Sequence, residues 1–328
     1  MFVHLILEGF ADSSLGVALD VVGTAAHLSS SGRSPMPRGG KTLLQRVVSL
    51  DGEPVRSAAG RKVAVDGAFS VRDLRKGDVV LVPGIFSASA RTIEQLLGRE
   101  DVRRAAELLA KVAGKGVMVA ASCSATFVLA ASGVLDGRSA TTSWWLAPEF
   151  ARRFPKISLT SDRMVVDEGK IITAGAALAH VDLVLAVVTR MVGPSLPHLV
   201  ARYLVLDERP SQARYVVLEH LRANDPALLE VERFIIKNVD RQLSLDELAR
   251  VARVSPRTLA RRVRTSLSMT PQEFVQRLRV GRAIHLLETT RDSVDDIAAR
   301  VGYADAAAFR RVFRRYAGES PRRLRGQG

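Results

Sequence analysis

The chain has one cysteine, Cys123, in 328 residues. A lone thiol excludes an internal disulfide framework and any multi-cysteine metal site, and neither a metal nor another cofactor is expected. Long charge-free apolar runs are missing as well. The most apolar stretch, 176–192, carries His180, Asp182 and Arg190 and is too short and too polar to span a bilayer. The opening Met1-Phe-Val-His-Leu-Ile-Leu-Glu8 has no basic region and reads as a strand, not a secretory leader. A reducing cytoplasmic compartment with no membrane attachment is the expectation. Acids are scarce too: 34 Asp+Glu face 48 Lys+Arg, a formal charge of +14. The imbalance is uneven, because residues 211–328 hold 23 bases against 14 acids, net +9, whereas residues 1–210 hold 25 against 20, net +5. An excess concentrated in the shorter part is what phosphate binding requires. With 47% hydrophobic residues the chain is long enough for two domains with cores of their own.

What the basic part contains is a duplication. Ser244-Leu-Asp-Glu-Leu-Ala-Arg-Val-Ala252 answers to Ser293-Val-Asp-Asp-Ile-Ala-Ala-Arg-Val301 at an offset of 49. Beyond the following turn the offset is 50, pairing Leu259 with Phe309, Arg261 with Arg311, Val263 with Phe313 and Pro271 with Pro321. Each copy reads as two short helices around a tight turn. Ser244 and Glu247 form a capping-box pattern, and Ser255-Pro256 opens the next helix with proline where its missing N–H costs nothing. Leu259 and Val263 take the buried i, i+4 spacing, which leaves Arg257, Arg261, Arg262 and Arg264 on the other faces with no acid among them. In the second copy Phe309 and Phe313 are the buried pair, and Arg310, Arg311, Arg314 and Arg315 point elsewhere.

A short helix with apolar anchors and an arginine face suits the DNA major groove; the plainer alternative is a pair of solvated hairpins. On the first helix Arg257 and Arg261 are the candidates for base edges, with Thr258 beside them and Ala260 placed to touch a thymine methyl. Arg262 and Arg264 suit phosphates. On the second, Ala306 and Ala307 lead the helix, so reading falls to Arg310 and Arg311, with Arg314 on phosphate.

Leu248-Ala-x-x-Ala252, Ser255, Leu259-x-Arg261, Thr270-Pro271, Gly302-Tyr303, Phe309-Arg-Arg-Val-Phe313 and Gly318-Glu-Ser-Pro321 together resemble the AraC/XylS DNA-binding domain, over residues 224–325. The resemblance implies a seven-helix module whose two recognition helices are joined by a central helix, here about 271–287. Those helices would enter successive major-groove segments about 34 Å apart. Relatives of this type often carry polar base readers where Ala306 and Ala307 stand, so the second half-site would depend more on shape and phosphate contacts.

The first two thirds alternate apolar runs with helical spacing. Strands are expected at 3–7, 43–50, 61–65, 78–82 and 116–121, helices at 15–28, 92–113 and 176–192, and a mobile loop at 29–40. That pattern predicts a doubly wound α/β domain, flavodoxin-like, followed by an all-α domain with two helix-turn-helix motifs. Cys123 falls at a sharp strand-to-helix turn, where a helix N-terminus would lower a thiol's pKa. Val82-Pro-Gly84, Cys123 in its elbow and Gly133-Val-Leu-Asp-Gly-Arg-Ser-Ala-Thr-Thr142 resemble the class I glutamine amidotransferase-like domain, PfpI-like branch, found ahead of the DNA-binding module in GlxA-type regulators. The resemblance places a catalytic histidine some twenty residues after the cysteine and an acid on the first helix. This chain reads Thr141-Thr142-Ser143-Trp144 at the former and offers Asp20 for the latter. Ser143 cannot act as a base near neutral pH, and His180 among apolar residues reads as structural. Cys123, Asp20 and Ser143 are therefore vestigial, and no enzyme activity is expected.

A pocket over the strand ends remains a natural ligand site, lined by Asp20, Gly84, Ile85, Cys123, Ser124, Ser143 and Trp144. Plain core packing is the alternative for Cys123, Trp144 and Trp145. The expected organisation is a sensor and dimerisation domain at 1–195, a terminal helix and linker at 196–224, and a DNA-binding domain at 225–328. The reading is a ligand-responsive transcriptional regulator, a homodimer, with operator DNA, a small-molecule effector and RNA polymerase as partners. Its rivals are a cysteine-dependent amidase or hydrolase fused to a DNA-binding module, and a sequence-tolerant nucleoid protein.

Overall fold

Apolar tetrads set the architecture of the first part of the chain: Phe2-Val-His-Leu5, Val79-Val-Leu-Val82 and Ile171-Ile-Thr-Ala174 are each buried at all four positions. Strands buried on both faces need helices on both sides, which is the parallel-sheet arrangement. In a computed structural model that describes residues 1–31, 43–207, 209, 211, 212, 215, 225–267 and 269–325, the chain divides into two units, Met1–Pro210 and Ser211–Gly328.

The first unit runs β1 (Phe2–Leu5), α1 (Asp12–Ser30), β2 (Gln45–Val48), β3 (Val55–Arg56), β4 (Lys62–Val63), β5 (Val79–Val82), α2 (Ala90–Gly98) and α3 (Glu100–Gly114). It continues through β6 (Met118–Ser122), α4 (Ala125–Ala131), β7 (Ser139–Ala140), α5 (Ala147–Arg153), β8 (Ser158–Leu159), β9 (Val165–Asp167), β10 (Ile171–Ala174), α6 (His180–Val192) and α7 (Ser195–Tyr203). The main sheet has the order β2-β1-β5-β6-β10-β9. Only β9 runs antiparallel to its neighbour within it. This is the doubly wound, flavodoxin-like order. Leu96, Val102, Leu109 and Phe127 belong to the core on one face, while Val21, Leu28, Val184, Val188, Leu196 and Val200 belong to the core on the other.

The helix expected over 92–113 is two helices. Arg99 adopts an extended ψ of 141° between α2 and α3, and its guanidinium donates to Glu8 O at 2.9 Å and to the Asp101 carboxylate. Helical spacing continues across the break, which hides it from a periodicity argument. The stretch 176–192 opens with a 3-10 turn at Ala177–Ala179 before α6 begins. Of the expected loop at 29–40, Ser29 and Ser30 lie within α1, and 32–40 fall outside the described residues, as does most of 204–224 beyond residue 212.

The second unit has seven helices among the described residues: α8 (Pro226–Lys237), α9 (Leu245–Val251), α10 (Pro256–Leu267), α11 (Pro271–Thr289), α12 (Val294–Arg300), α13 (Ala306–Ala317) and α14 (Pro321–Arg325). Side-chain caps start them. Thr270 with Glu273 and Ser293 with Asp296 close full capping boxes. Ser244 caps Glu247 N, but the Glu247 carboxylate turns to Arg241 instead of closing its box. The shift of the repeat from 49 to 50 has a location. Both motifs turn through a left-handed residue, Arg253 with φ 54° and Gly302 with φ 80°. One residue then precedes the Ser255 cap in the first motif, and two precede the Asp305 cap in the second.

Gly302 has a second reason to be glycine, since a Cβ there would sit 2.5 Å from Val239 O and 2.6 Å from Arg279 Nη2. Arg279, on α11 and only 5% exposed, donates to Gly302 O at 3.1 Å and to Arg241 O at 2.6 Å. Its guanidinium lies over the Tyr303 ring, 5.4 Å from the centroid. Gly302→Ala is expected to cost about 2 kcal/mol or more, whereas Arg253→Gly, which relieves a left-handed L-residue, should stabilise by about 0.5 kcal/mol. Denaturant unfolding followed by helical dichroism checks the pair; shifts of the same sign at both turns would contradict it.

Two histidines sit inside the first unit. His4 Nε2 meets Gln45 Oε1 at 3.2 Å, and His180 Nδ1 meets Ser122 Oγ at 2.8 Å. Burial lowers their pKa values from 6.5 to about 4 and about 3. The unfolded chain therefore binds protons first, so their contribution to stability is intact above pH 6.5 and is lost as pH falls toward the folded values. Going from pH 7 to pH 5 should remove about 2 kcal/mol per histidine, and His180→Asn should remove about half of that dependence. Both tryptophans, Trp144 and Trp145, lie in this unit, so their fluorescence reports the transition; a midpoint independent of pH over that range would refute it.

Candidate functional site

Two places could act on other molecules: the elbow after β6 and the arginine faces of α10 and α13. At the elbow Cys123 has φ 57°, and its N–H is shared between Ala174 O at 3.1 Å and Gly175 O at 2.6 Å. Gly84 packs so closely that a Cβ on it would lie 2.7 Å from Cys123 Cβ. Thr142 Oγ1 donates to Cys123 O at 2.7 Å, Ser143 Oγ donates to the thiol sulfur at 3.0 Å, and Ile85 N donates to Ser124 Oγ at 2.9 Å. The structure thus gathers Gly84, Ile85, Cys123, Ser124 and Ser143, but it buries all five. Trp144, half-buried, packs edge-to-face on Trp145 at 5.3 Å, and Trp145 Nε1 donates to Ser87 O.

Burial pushes the Cys123 thiol pKa up, against the hydrogen bonds from Ser143 and Ser124 that favour the thiolate. That corrects the expected lowering. The Thr126 N–H at the start of α4 bonds to Cys123 O at 3.2 Å and so faces backbone rather than sulfur. Among the described residues no basic nitrogen is hydrogen-bonded to the thiol. His180 binds Ser122 instead.

Asp20 also requires correction. It is exposed, outside the buried stripe of α1, and lies eight residues beyond the first residue of that helix, about 12 Å along the axis. The α1 side chain turned inward near the elbow is Ser14, fully buried, whose Oγ donates to Ala177 O at 3.1 Å. Its i, i+4 relation to Ala18 was the signal that could have found it.

On α10 the buried residues are Leu259, Val263 and Leu267. Arg257, Arg261 and Arg264, spaced i, i+4, i+7, are exposed and make no hydrogen bond or ion pair among the described residues. Thr258 is engaged with the Ser255 cap, its Oγ1 at 2.9 Å from Ser255 Oγ, and Ala260 is half-buried. Arg262 departs from its expected role, since it lies 3.9 Å from Asp225. On α13, Phe309, Phe313, Tyr316 and Ala317 are buried. Arg311 and Arg314, which occupy the places of Arg261 and Arg264, are exposed and make no such contact among the described residues. Arg310 does not stand free as the reading required: Asp295, in the first turn of α12, holds its Nη2 at 2.5 Å. Arg315 is similarly held by Glu273 at 3.0 Å. Ala306 is half-buried and Ala307 exposed, with Asp305 accepting the Ala307 and Ala308 N–H groups as cap. Asp225, Asp295 and Glu273 are thus the residues that sequence reasoning missed.

Among the described residues no helix is long and apolar enough to cross a membrane, and no group of three His, Cys, Asp or Glu could hold a metal ion. The DJ-1/PfpI family matches residues 14–190, more than half of the chain, and a helix-turn-helix domain family matches residues 248–327. The HTH-type transcriptional regulator CdhR of Pseudomonas aeruginosa is 31% identical over 278 residues, covering 84% of this chain and 79% of that one. The HTH-type transcriptional regulator GlxA of Rhizobium meliloti is 30% identical over 220 residues, 66% of this chain and 68% of its own. In fold, the first unit is similar to the crystal structure of an AraC family transcriptional regulator from Pseudomonas putida, with a TM-score of 0.50 and 23% identity over 62% of this chain and 98% of that one. This chain belongs to the transcriptional regulators that join an amino-terminal DJ-1/PfpI-family domain to an AraC-type helix-turn-helix domain.

Proposed function

We propose that the chain is a sequence-specific regulator in which residues 225–328 bind operator DNA, and residues 1–195 dimerise and sense a small-molecule effector without catalysing a reaction. Residues 196–224 connect the two functions, and RNA polymerase is the partner at the promoter. The regulator works in the cytoplasm, on the nucleoid when DNA-bound. The observation that carries this reading is the matched pair of outer faces: Arg257, Arg261 and Arg264 on α10, and Arg311 and Arg314 on α13, all exposed. Guanidinium groups on the outer face of a short helix can reach guanine edges and phosphates.

A buried thiol with a raised pKa and, among the described residues, no base hydrogen-bonded to it supports the inactive reading, because the thiolate is the nucleophile. Amide or glyoxal turnover that vanishes in Cys123→Ala would replace it with the hydrolase alternative. Effector binding shifts DNA affinity only through a difference in its affinity for two states of the protein.

Selection from random duplexes at physiological salt is expected to enrich a bipartite motif with centres about one helical turn apart; recovery of no motif sinks the proposal in favour of sequence-tolerant binding. Arg261→Ala should relax preference at one base pair by about 1–3 kcal/mol, while Arg314→Ala should weaken all duplexes alike and lower the salt slope by about 1. Arg311→Ala should cost more affinity than Arg310→Ala, since Asp295 already engages Arg310. Titrations of the variants against the selected motif decide this, and the reverse order for Arg310 and Arg311 would remove the assignment on α13.

A further inference from the structure

A cavity of about 520 Å³ opens in the first unit between α6, α7 and the edge strand β9, and it shares no residue with the cysteine elbow. Its size suits a small ligand. Val165, Leu185 and Ala186 supply apolar wall. The charged lining is cationic on balance, with Arg163, Arg202 and Arg209 against Asp182 and Asp207.

One side of the cavity is a strap, residues 204–207 and 209, that follows α7. The strap turns at Val205, a β-branched residue with φ 54° and 91% exposure. A left-handed conformation is costly for such a residue, and it persists only where the surroundings impose it. Leu206 N donates to Ala201 O at 2.8 Å, and Arg209 ties the far end to the start of α6. Its Nη2 donates to Leu178 O at 3.0 Å and to Asp182 Oδ2 at 2.5 Å. Burial raises the pKa of Asp182, while Arg209 and a backbone hydrogen bond oppose that shift.

Resting on the effector-controlled reading above, we propose that this cavity, and not the Cys123 elbow, is the effector site, taking a small organic carboxylate with an apolar body. The ligand's carboxylate shares Arg209 with Asp182, draws on Arg202 at the rim, and so sets the position of the strap. An Arg fork matches carboxylate geometry, and three arginines against two aspartates leave the lining cationic on balance.

The test uses the full chain with hexanoate as probe, and hexanamide and hexylamine as controls. At about tenfold excess over its Kd, hexanoate should raise the thermal midpoint of the first unit by about 3–6 °C, with no shift from either control. Ala186→Phe fills the cavity and should abolish the shift. Arg202→Gln, at the exposed rim, should weaken hexanoate about tenfold and leave the unliganded midpoint unchanged, which keeps the test decisive if the first variant folds poorly. No shift with hexanoate, an equal shift with hexylamine, or a shift untouched by both substitutions overturns the site. Motif selection run alongside separates the two readings. A chain that selects DNA but ignores hexanoate loses this site and keeps the regulatory reading; one that binds hexanoate here yet selects no DNA keeps the site and loses that reading.

Discussion

The second unit depends on a buried guanidinium, that of Arg279, with no carboxylate bonded to it among the described residues. Arg279 projects from the central helix α11; its Nη1 donates to Gly302 O in the turn of the second motif and its Nη2 to Arg241 O ahead of the first, while its buried Nε has no hydrogen-bond partner among the described residues. Burial lowers its pKa, yet a guanidinium remains charged, so the carbonyl oxygens and the Tyr303 ring face must offset its desolvation. A single side chain thereby ties both motifs to one helix. Glu273 adds a second tie from the same helix, closing the cap with Thr270 and holding Arg315 of α13. Two recognition helices can act on one duplex only if their separation is fixed, and these contacts fix the second motif against α11.

The first unit shows a comparable constraint put to a different end. Cys123 keeps the left-handed backbone of a nucleophile's elbow, and Gly84 must lack a side chain for the two segments to approach. Every polar group around the sulfur is committed: Ser143 to the thiol, Thr142 to the Cys123 carbonyl, Ser124 to the Ile85 backbone. The geometry associated with reactive cysteines survives, but the desolvation that accompanies it favours the neutral thiol. Backbone shape and thiolate stabilisation are separate properties, set here by different contacts.

Local rules made most of the fold legible. Apolar runs marked β1, β5 and β6, while Ser, Thr and Pro at helix starts marked α9 to α12, because caps and strand burial are decided within a few residues. β10 is absent from the expected strands although all four of its residues are buried. The duplication exposed the two motifs before any contact was known. What stayed hidden depended on partners far along the chain. The break at Arg99 is stabilised by a bond to Glu8, 91 residues away, and Arg310 is removed from the outer face by Asp295, 15 residues away. The resemblance offers Asp20 by its place on α1, but the period of Ala18, Val21 and Ala25 sets that position outward.

Net charge consequently overstates the surface available to a duplex. Arg241, Arg262, Arg300, Arg310 and Arg315 each face an acid of their own unit, and Arg279 is interior. Exposed ion pairs of this kind contribute little to folding, but each one neutralises charge that would otherwise meet phosphate. The arginines left on the outer faces are aligned by the repeat rather than scattered, Arg261 with Arg311 and Arg264 with Arg314. The alignment fails at Arg257 against Ala307, Ala260 against Arg310 and Arg262 against Val312, and these differences make the outer faces of the two helices chemically unequal. Helices with unequal outer faces need not select the same bases, so a site matched to both would be two unlike groove segments and not a plain direct repeat.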